Sequence, residues 1–394
     1  MTGVTPPGDN SEHAKPRLIF VVSEDWYFLS HRLPMAQAAR EAGFEVHVAT
    51  RVIKGGTEIK DRGFILHPVP FARGRLAPLA TLRTILALRR VYDAVRPDII
   101  HHVSMQPTML GLLAALGRPV PCVNALTGLG YAFTSRSAKA RLIRPLLRAV
   151  MRRLLARERM ISLVQNPDDH AALIAIGVPE RRIRIIAGSG VDAVRLRPLP
   201  EPAGEIAIAF VGRLLRDKGI HALFAAHRLL RARGSATRLL IAGLPDPANP
   251  ASVTAAEAEG WNREPGVTWL GHVADIGALW AQAHIAVLPS FGEGLPLSLL
   301  EAAACARPMI ATDVPGCREI VIADETGLLV PVDDAPALAD AIETLARAPA
   351  LRARYGAAAR KRVEARFASD IIGEQTIAMY RQLIEARESG PGPA

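Results

Sequence analysis

The sequence predicts an α/β fold of two doubly wound halves facing a central cleft. Three observations lead there. Apolar runs of strand length alternate with amphipathic stretches of helix length. The alternation restarts near residue 205. The 394-residue chain exceeds what one hydrophobic core usually fills.

The first half opens with RLIFVV (Arg17 to Val22), a run suited to a strand buried on both faces. FLSHRLPMAQAAREAGF has helical spacing and stops at Gly43. EVHVAT (Glu45 to Thr50) and ILHPVP (Ile65 to Pro70) are the next strands. A basic helix follows from Leu79 to Val95, then strands PDIIHHV (Pro97 to Val103) and PVPCVNAL (Pro119 to Leu126). The second half runs EIAIAFVG, a helix over Ile220 to Arg233, then TRLLIAG, VTWLG, IAVLPS, PMIAT and GLLVPV. Pro-rich PLPEPAG separates the series. The expected organisation is a disordered segment over 1–16, a first domain over 17–197 and a linker over 198–204. A second domain over 205–373, a helix over 374–388 packing back across the domains, and a tail over 389–394 complete it. Such halves leave a cleft at the carboxyl ends of their strands.

Composition excludes several classes. Aromatics make up 5 % of the chain, which argues against base stacking along a nucleic-acid groove. The three cysteines (Cys122, Cys305, Cys317) have neither zinc spacing nor a disulfide framework, so a reducing cytosol is expected. The N-terminus lacks the apolar core of a signal peptide, and no apolar run is long enough to span a membrane. The net charge of +10 calls for an anionic partner: phosphorylated substrate, anionic lipid or nucleic acid.

Candidate chemistry concentrates at strand ends. FVGRLLRDKG places Gly212, Arg213 and Lys218 after the first strand of the second half, where two cations can neutralise a diphosphate leaving group. In PSFGEGLPLSLLEAAA, Glu293 lies between Gly292 and Gly294, and Glu301 falls eight residues on, one turn into a helix that Pro296 starts. The helix amides suit a phosphate and Glu301 a ribose diol. The bland alternative is surface charge.

The first strand ends in SEDWYFLSHR with no G-x-G-x-x-G, which argues against a nicotinamide or flavin cofactor. Glu24, Asp25, His31 and Arg32 are candidates for acceptor or sugar contacts; Asp25 as a helix cap is the alternative. His101 and His102 end a strand, where one faces in and the other out. NALTGLGYAF (Asn124 to Phe133) ends the next strand and brings Thr127 and Gly128 to the cleft. Asn166, Asp168 and Asp169 precede a helix and suit capping better than metal binding. Between Arg136 and Arg159 lie nine basic residues and the single acid Glu158, around an apolar row of Leu142, Leu146, Val150 and Leu154. That pattern predicts a basic amphipathic helix on anionic lipid, or a core-facing helix with solvated arginines.

Together these residues resemble the retaining family 4 glycosyltransferases of GT-B fold, from Arg17 to Glu388. Glu293 and Glu301 match the E-x7-E pattern, Arg213 and Lys218 the phosphate pair, and GSGVD (Gly188 to Asp192) the segment before the interdomain linker. DWYFLSHR, LTGLGYAF, QNPDD, PDPANPAS and EGLPLSLLEAAA are similar to the bacterial subgroup that extends undecaprenyl-diphosphate-linked sugars. The resemblance implies that Arg213 and Lys218 hold the donor diphosphate with amides near Gly294 and Leu295. It also implies that Glu301 binds ribose and Glu293 faces the transferred sugar.

The acceptor-side candidates are Asp25, His31, His102, Thr127 and Gly128. Thr127 and Gly128 stand where many relatives carry a histidine. Ser23, Glu24 and Asp25 replace a usual Gly-Gly, and Ala306 a usual glycine. No cofactor or metal is expected, the nucleotide sugar being a substrate. The expected partners are that donor, a lipid-linked saccharide acceptor and the anionic inner face of the plasma membrane, with no nucleic acid. Two other readings are a nucleotide-sugar epimerase of similar fold, which would convert donor unaided, and a non-catalytic nucleotide or polyanion binder.

Overall fold

The structure, a computed structural model, describes residues 15–72, 78–128 and 138–389. Most of the expected N-terminal segment and tail, and Leu129 to Phe133 of the glycine-rich stretch, lie outside the described residues.

Seven parallel strands form the first sheet: β1 (Arg17–Glu24), β2 (Glu45–Arg51), β3 (Ile65–Pro68), β4 (Ile99–Val103), β5 (Cys122–Ala125), β6 (Met160–Val164) and β7 (Ile183–Ile185). Their order is β3-β2-β1-β4-β5-β6-β7. Six more form the second: β8 (Ala207–Val211), β9 (Arg238–Ala242), β10 (Val267–Gly271), β11 (Ile285–Leu288), β12 (Met309–Thr312) and β13 (Gly327–Val330), ordered β10-β9-β8-β11-β12-β13. Every strand named from the sequence is present. β6 and β7 lengthen the first sheet beyond them. The strand order reverses direction between β1 and β4, and again between β8 and β11. Loops diverge at such points and leave a crevice.

Both faces of the first sheet are covered. One core holds Ile19, Val21, Ile100, Leu112 and Met151; the other holds Leu18, Phe20, Val22, Phe28 and Val123. Alternate residues of β1 therefore serve opposite layers, as a strand buried on both sides requires. The helix expected after β1 is two helices, Asp25–His31 and Leu33–Glu41, which meet at Arg32 with φ −126°. Pro34 fits the break, because its nitrogen cannot donate to the Ser30 carbonyl of the preceding helix and the first turn of a new helix tolerates it.

The linker lies earlier than the Pro-rich stretch. Val191 and Leu196 already belong to the second core, while Ile186 belongs to the first. The chain therefore crosses at 187–190. Residues 198–204 are fastened to the second half instead. Arg307 donates to the Pro200 carbonyl at 2.7 Å, and Arg352 pairs with Glu201. The return crossing follows Phe367. The helix Ser369–Glu388 then packs on Leu33–Glu41 and buries Ile372, Met379 and Tyr380 in the first half's core. Tyr380 bonds His101, and Arg387 reaches Asp98 at 3.2 Å.

Ala306, where the resemblance implies a glycine, adopts φ +56°. Its carbonyl lies 2.1 Å from where a Cβ on Gly356 would stand. Gly356→Ala is thus expected to cost about 2–3 kcal/mol through backbone overlap. Ala306→Gly should be neutral or stabilising by up to about 1 kcal/mol, left-handed strain being offset by unfolded-chain entropy. Urea denaturation of the two variants measures both signs.

Candidate active site

The loops after β1, β5, β6, β8 and β11 converge on one cleft. Its walls are Tyr27, His31, Arg32, Thr127 and Gln165 from the first half. Arg213, Lys218, Glu293, Gly294 and Leu295 come from the second, and Gly188 to Gly190 from the crossing between them. The strand order dictates this: β1, β8 and β11 each border a switch point.

On the second-half side, Lys218 Nζ lies 2.5 Å from Glu293 Oε1, which also accepts from Ser290 Oγ at 2.6 Å. Arg213 Nη1 donates to Asp246 Oδ2 at 3.0 Å, and its side chain stays 45 % exposed. The two cations are thus held extended before any anion arrives. Gly219, next to Lys218, has φ +71°, and a Cβ there would stand 1.9 Å from the Pro289 carbonyl. Only glycine lets the two loops touch. Helix Leu297–Ala304 begins at Pro296 with no side-chain cap, so its first amides face the cleft end free for an anion. Gly212 does not line the cleft as expected. Its amide bonds Ala242 O at 3.0 Å and its carbonyl abuts Gly243, so it is a packing glycine.

Glu301 stands one turn into that helix, behind Leu297 and Leu300 of the cleft wall. It has no hydrogen-bond partner among the described residues. Burial pushes its carboxyl up to about 7, with Arg195 pulling weakly the other way. A desolvated carboxylate without donors is what a ribose diol would satisfy.

On the first-half side, His31 and Thr127 line the cleft as expected. The His31 ring stacks on Tyr27 at 4.3 Å, and its Nδ1 lies 2.6 Å from Ser30 Oγ. Ser30 spends its hydrogen on the Trp26 carbonyl at 2.7 Å, so Nδ1 donates and Nε2 is left an acceptor. Burial first, then Arg32, Lys218 and Arg213, lower its pKa to about 3. The imidazole is neutral at physiological pH.

Two acceptor-side expectations are corrected. Asp25 is fully buried, and its Oδ2 accepts from the amides of Ile53, Lys54 and Gly55 at 2.7–2.9 Å. It is a loop anchor, neither a substrate contact nor a cap. His102 is also fully buried: Nδ1 donates to Asn124 Oδ1 at 2.9 Å and Nε2 accepts from Tyr92 at 3.1 Å. His101 faces the other layer. Both histidines stay in core because helices cover both faces of β4. Gly128 (φ +89°) follows Thr127 and lies against Gly294 of the cleft wall.

Asn166 caps its helix as expected, accepting from Asp169 N at 2.8 Å, and its Nδ2 also donates to Gly294 O across the cleft at 3.0 Å. Residue spacing missed Tyr27, Gln165, Ser189, Ser290 and Asp246 as site residues. Asp246 and Ser189 lie within PDPANPAS and GSGVD, segments that carry the family resemblance but to which it assigns no ligand contact. Among the described residues no cluster of histidine, cysteine and acid suits a metal ion.

Glu301 has a raised pKa in the fold, so its contribution is full below about pH 4.5 and lost as pH rises through about 7. Glu301→Gln should therefore gain on the native chain between those values, by at most about 3 kcal/mol, and level off above. Thermal denaturation as a function of pH measures the difference.

Comparison with known proteins agrees with this geometry. A profile described as "Glycosyl transferase 4-like" matches residues 17–165, and one described as "Glycosyl transferases group 1" matches 205–348. The chain is 24 % identical to a capsular polysaccharide biosynthesis glycosyltransferase of Staphylococcus aureus, over 89 % of this chain and 93 % of that protein. It is also 24 % identical to the N,N'-diacetylbacillosaminyl-diphospho-undecaprenol alpha-1,3-N-acetylgalactosaminyltransferase of Campylobacter jejuni, over 91 % and 98 %. A solved Anabaena protein in complex with UDP-glucose superposes with a TM-score of 0.74 at 17 % identity, over 93 % and 99 %. The chain belongs to the family 4 glycosyltransferases and has their GT-B fold.

Proposed function

We propose that the chain transfers a hexose or N-acetylhexosamine, with retention, from a UDP-linked donor to a lipid-diphosphate-linked saccharide in surface polysaccharide assembly. The observation that carries this reading is the opposition of Arg213, Lys218 and Glu293 to His31 and Thr127 across one cleft. Two names support the finer parts: the Campylobacter relative acts on an undecaprenol-diphosphate sugar, and the Anabaena neighbour holds UDP-glucose.

Arg213, Lys218 and the amides opening Leu297–Ala304 stabilise the departing nucleotide diphosphate, and Glu301 takes the ribose. Glu293 orients Lys218 and meets the transferred sugar. His31, neutral with Nε2 as acceptor, takes a hydrogen bond from a sugar hydroxyl. Its low pKa makes it a poor general base near pH 7. The acceptor hydroxyl then attacks from the face the diphosphate leaves, while closure of the halves excludes water.

Docking on the anionic inner face of the membrane belongs to the same reading. In the basic helix Ala138–Leu155, the expected apolar row divides. Met151, Leu154 and Leu155 enter the core, whereas Leu146 (68 % exposed) and Val150 face solvent beside Arg148, Arg152 and Arg153. Helix Pro78–Val95, whose Leu88 and Tyr92 enter the same core, exposes Leu79, Leu82 and Leu86. Outward leucines among arginines suit a lipid interface. No helix among the described residues is long and apolar enough to cross a membrane.

Arg213→Ala and Lys218→Ala should each lower turnover by about 10²-fold or more. Glu301→Ala should weaken UDP binding, which calorimetry reports. Near-normal turnover in folded variants, assayed with a panel of nucleotide sugars and a lipid-diphosphate sugar, would remove the cations from the site.

Leu146→Glu combined with Arg153→Glu should reduce co-sedimentation with anionic vesicles and leave UDP affinity unchanged. Equal vesicle binding by the variant would make the helix purely structural.

A further inference from the structure

Among the described residues, Arg32 is the one charged group of the cleft wall whose chemistry the reading above leaves unused. It is 2 % exposed and among the largest fully buried side chains of the chain. Its guanidinium makes no hydrogen bond or ion pair with any described residue, and its Nε is buried with no partner. A buried arginine normally sits against a carboxylate, because the cost of removing its charge from water is otherwise uncompensated. A leucine or methionine would fill the same space without that cost. The side chain nevertheless lines the cleft that also holds Arg213 and Lys218.

The charges of that cleft are unbalanced in a specific way. Arg32, Arg213, Lys218 and Glu293 are its charged lining residues among those described. With Asp246 behind the wall counted, three cations against two carboxylates leave a surplus of one positive charge. Arg213 leans on Asp246 behind the wall, and Lys218 on Glu293 within it. Arg32 alone has no counter-charge of its own. The field of all three cations falls on one imidazole, that of His31, so they converge rather than line separate regions. A sugar nucleotide's diphosphate, with about two negative charges at neutral pH, would supply the counter-charge that Arg32 lacks and offers oxygens to a guanidinium fork.

We propose that Arg32 is a third cationic contact for the donor diphosphate, supplied by the first half. It would reach the phosphate from the opposite wall to Arg213 and Lys218. This rests on the donor reading above. The consequence is mechanical as well as electrostatic. An anion held by both halves draws them together, so donor binding itself favours the closed cleft. Isolated in the free protein, the guanidinium costs stability; with donor bound, the same charge is neutralised.

The test uses the full chain and Arg32→Met, which keeps the volume and removes the charge, with Arg32→Lys as the conservative variant. UDP, GDP, ADP and TDP are titrated calorimetrically, uridine and inorganic pyrophosphate serve as probes of the two ends, and KM and kcat are measured for donor and lipid acceptor. Arg32→Met is expected to melt at the same temperature as the native chain or higher. It should bind the preferred nucleoside diphosphate and pyrophosphate at least 10-fold more weakly, with uridine affinity unchanged and donor KM raised. Arg32→Lys should fall between. Equal diphosphate affinity in a folded Arg32→Met overturns the proposal while leaving the donor reading intact. Equal loss of uridine affinity makes Arg32 structural and overturns it as well. A rise in acceptor KM alone assigns the residue to the lipid diphosphate and overturns the donor assignment. If the native chain binds none of the four nucleotides, the donor reading fails and this proposal with it. Should Arg32→Met not fold, Arg32→Gln replaces it; failure of both to fold shows a structural role.

Discussion

Everything in the cleft depends on how closely the backbone at Gly294 approaches the first half. A Cβ on that residue would stand 2.5 Å from Gln165 Oε1 and 3.2 Å from the Gly128 amide. Its carbonyl accepts from Asn166 at 3.0 Å. On its other side, Gly316 is glycine because a Cβ would meet the carbonyls of Glu293 and Gly294 at 2.4–2.6 Å. The Glu293–Leu295 loop is therefore held between two backbones with no room for a side chain at its centre. The residues that carry the candidate chemistry are the same ones that set the distance between the halves. The closure proposed above would pass through this contact, which would couple the mechanics of the fold to the site.

The cations on the second-half wall are already paired in the free protein. Lys218 with Glu293 and Arg213 with Asp246 hold extended side chains whose freedom would otherwise oppose anion binding. The Lys218 pair is shielded, at 22 % and 9 % side-chain exposure, so its geometry is worth more than that of an exposed pair such as Arg318 with Asp168. On the proposed donor reading, a phosphate entering here would exchange one set of acceptors for another and would not need to order free arginine and lysine chains first. Preorganisation of this kind acts on the transition state without reorganisation cost.

The sequence made most of the fold legible because parallel strands buried on both faces appear as uninterrupted apolar runs. RLIFVV and IAVLPS needed no tertiary knowledge. The linker was misplaced because Pro-rich composition marks irregular backbone, not the division between cores. PLPEPAG is irregular yet anchored by Arg307 and Arg352. At the site, Glu293 and Lys218 were legible as a spacing, but Asp25 and His102 were not separable from cleft residues. Both end or follow strands, and only three-dimensional partners tell an anchor from a contact. Asp25 turned inward because three consecutive amides of the 53–55 loop needed an acceptor. His102 stayed inside because Asn124 and Tyr92 satisfy both its nitrogens.

Glu301 and Arg32 share an unusual condition from opposite sides of the cleft. Each is an ionisable group set into low-dielectric surroundings, and neither has a partner of opposite charge in hydrogen-bond contact among the described residues. A fold selected for stability alone would replace Arg32, since unpaired buried charge is among the costliest features a chain retains, and would gain nothing from a Glu301 whose carboxyl is pushed up to about 7. Their positions differ in kind: the carboxylate stands behind the wall of the second half, the guanidinium in the wall of the first. A sugar nucleotide presents complementary groups in the same sense, with hydroxyls at the ribose and negative charge at the diphosphate. The free protein thus keeps two costs that a single extended ligand would remove together. On the donor reading proposed above, affinity for that ligand would be stored as instability of the empty cleft, and the two halves would gain most by closing when the ligand spans both.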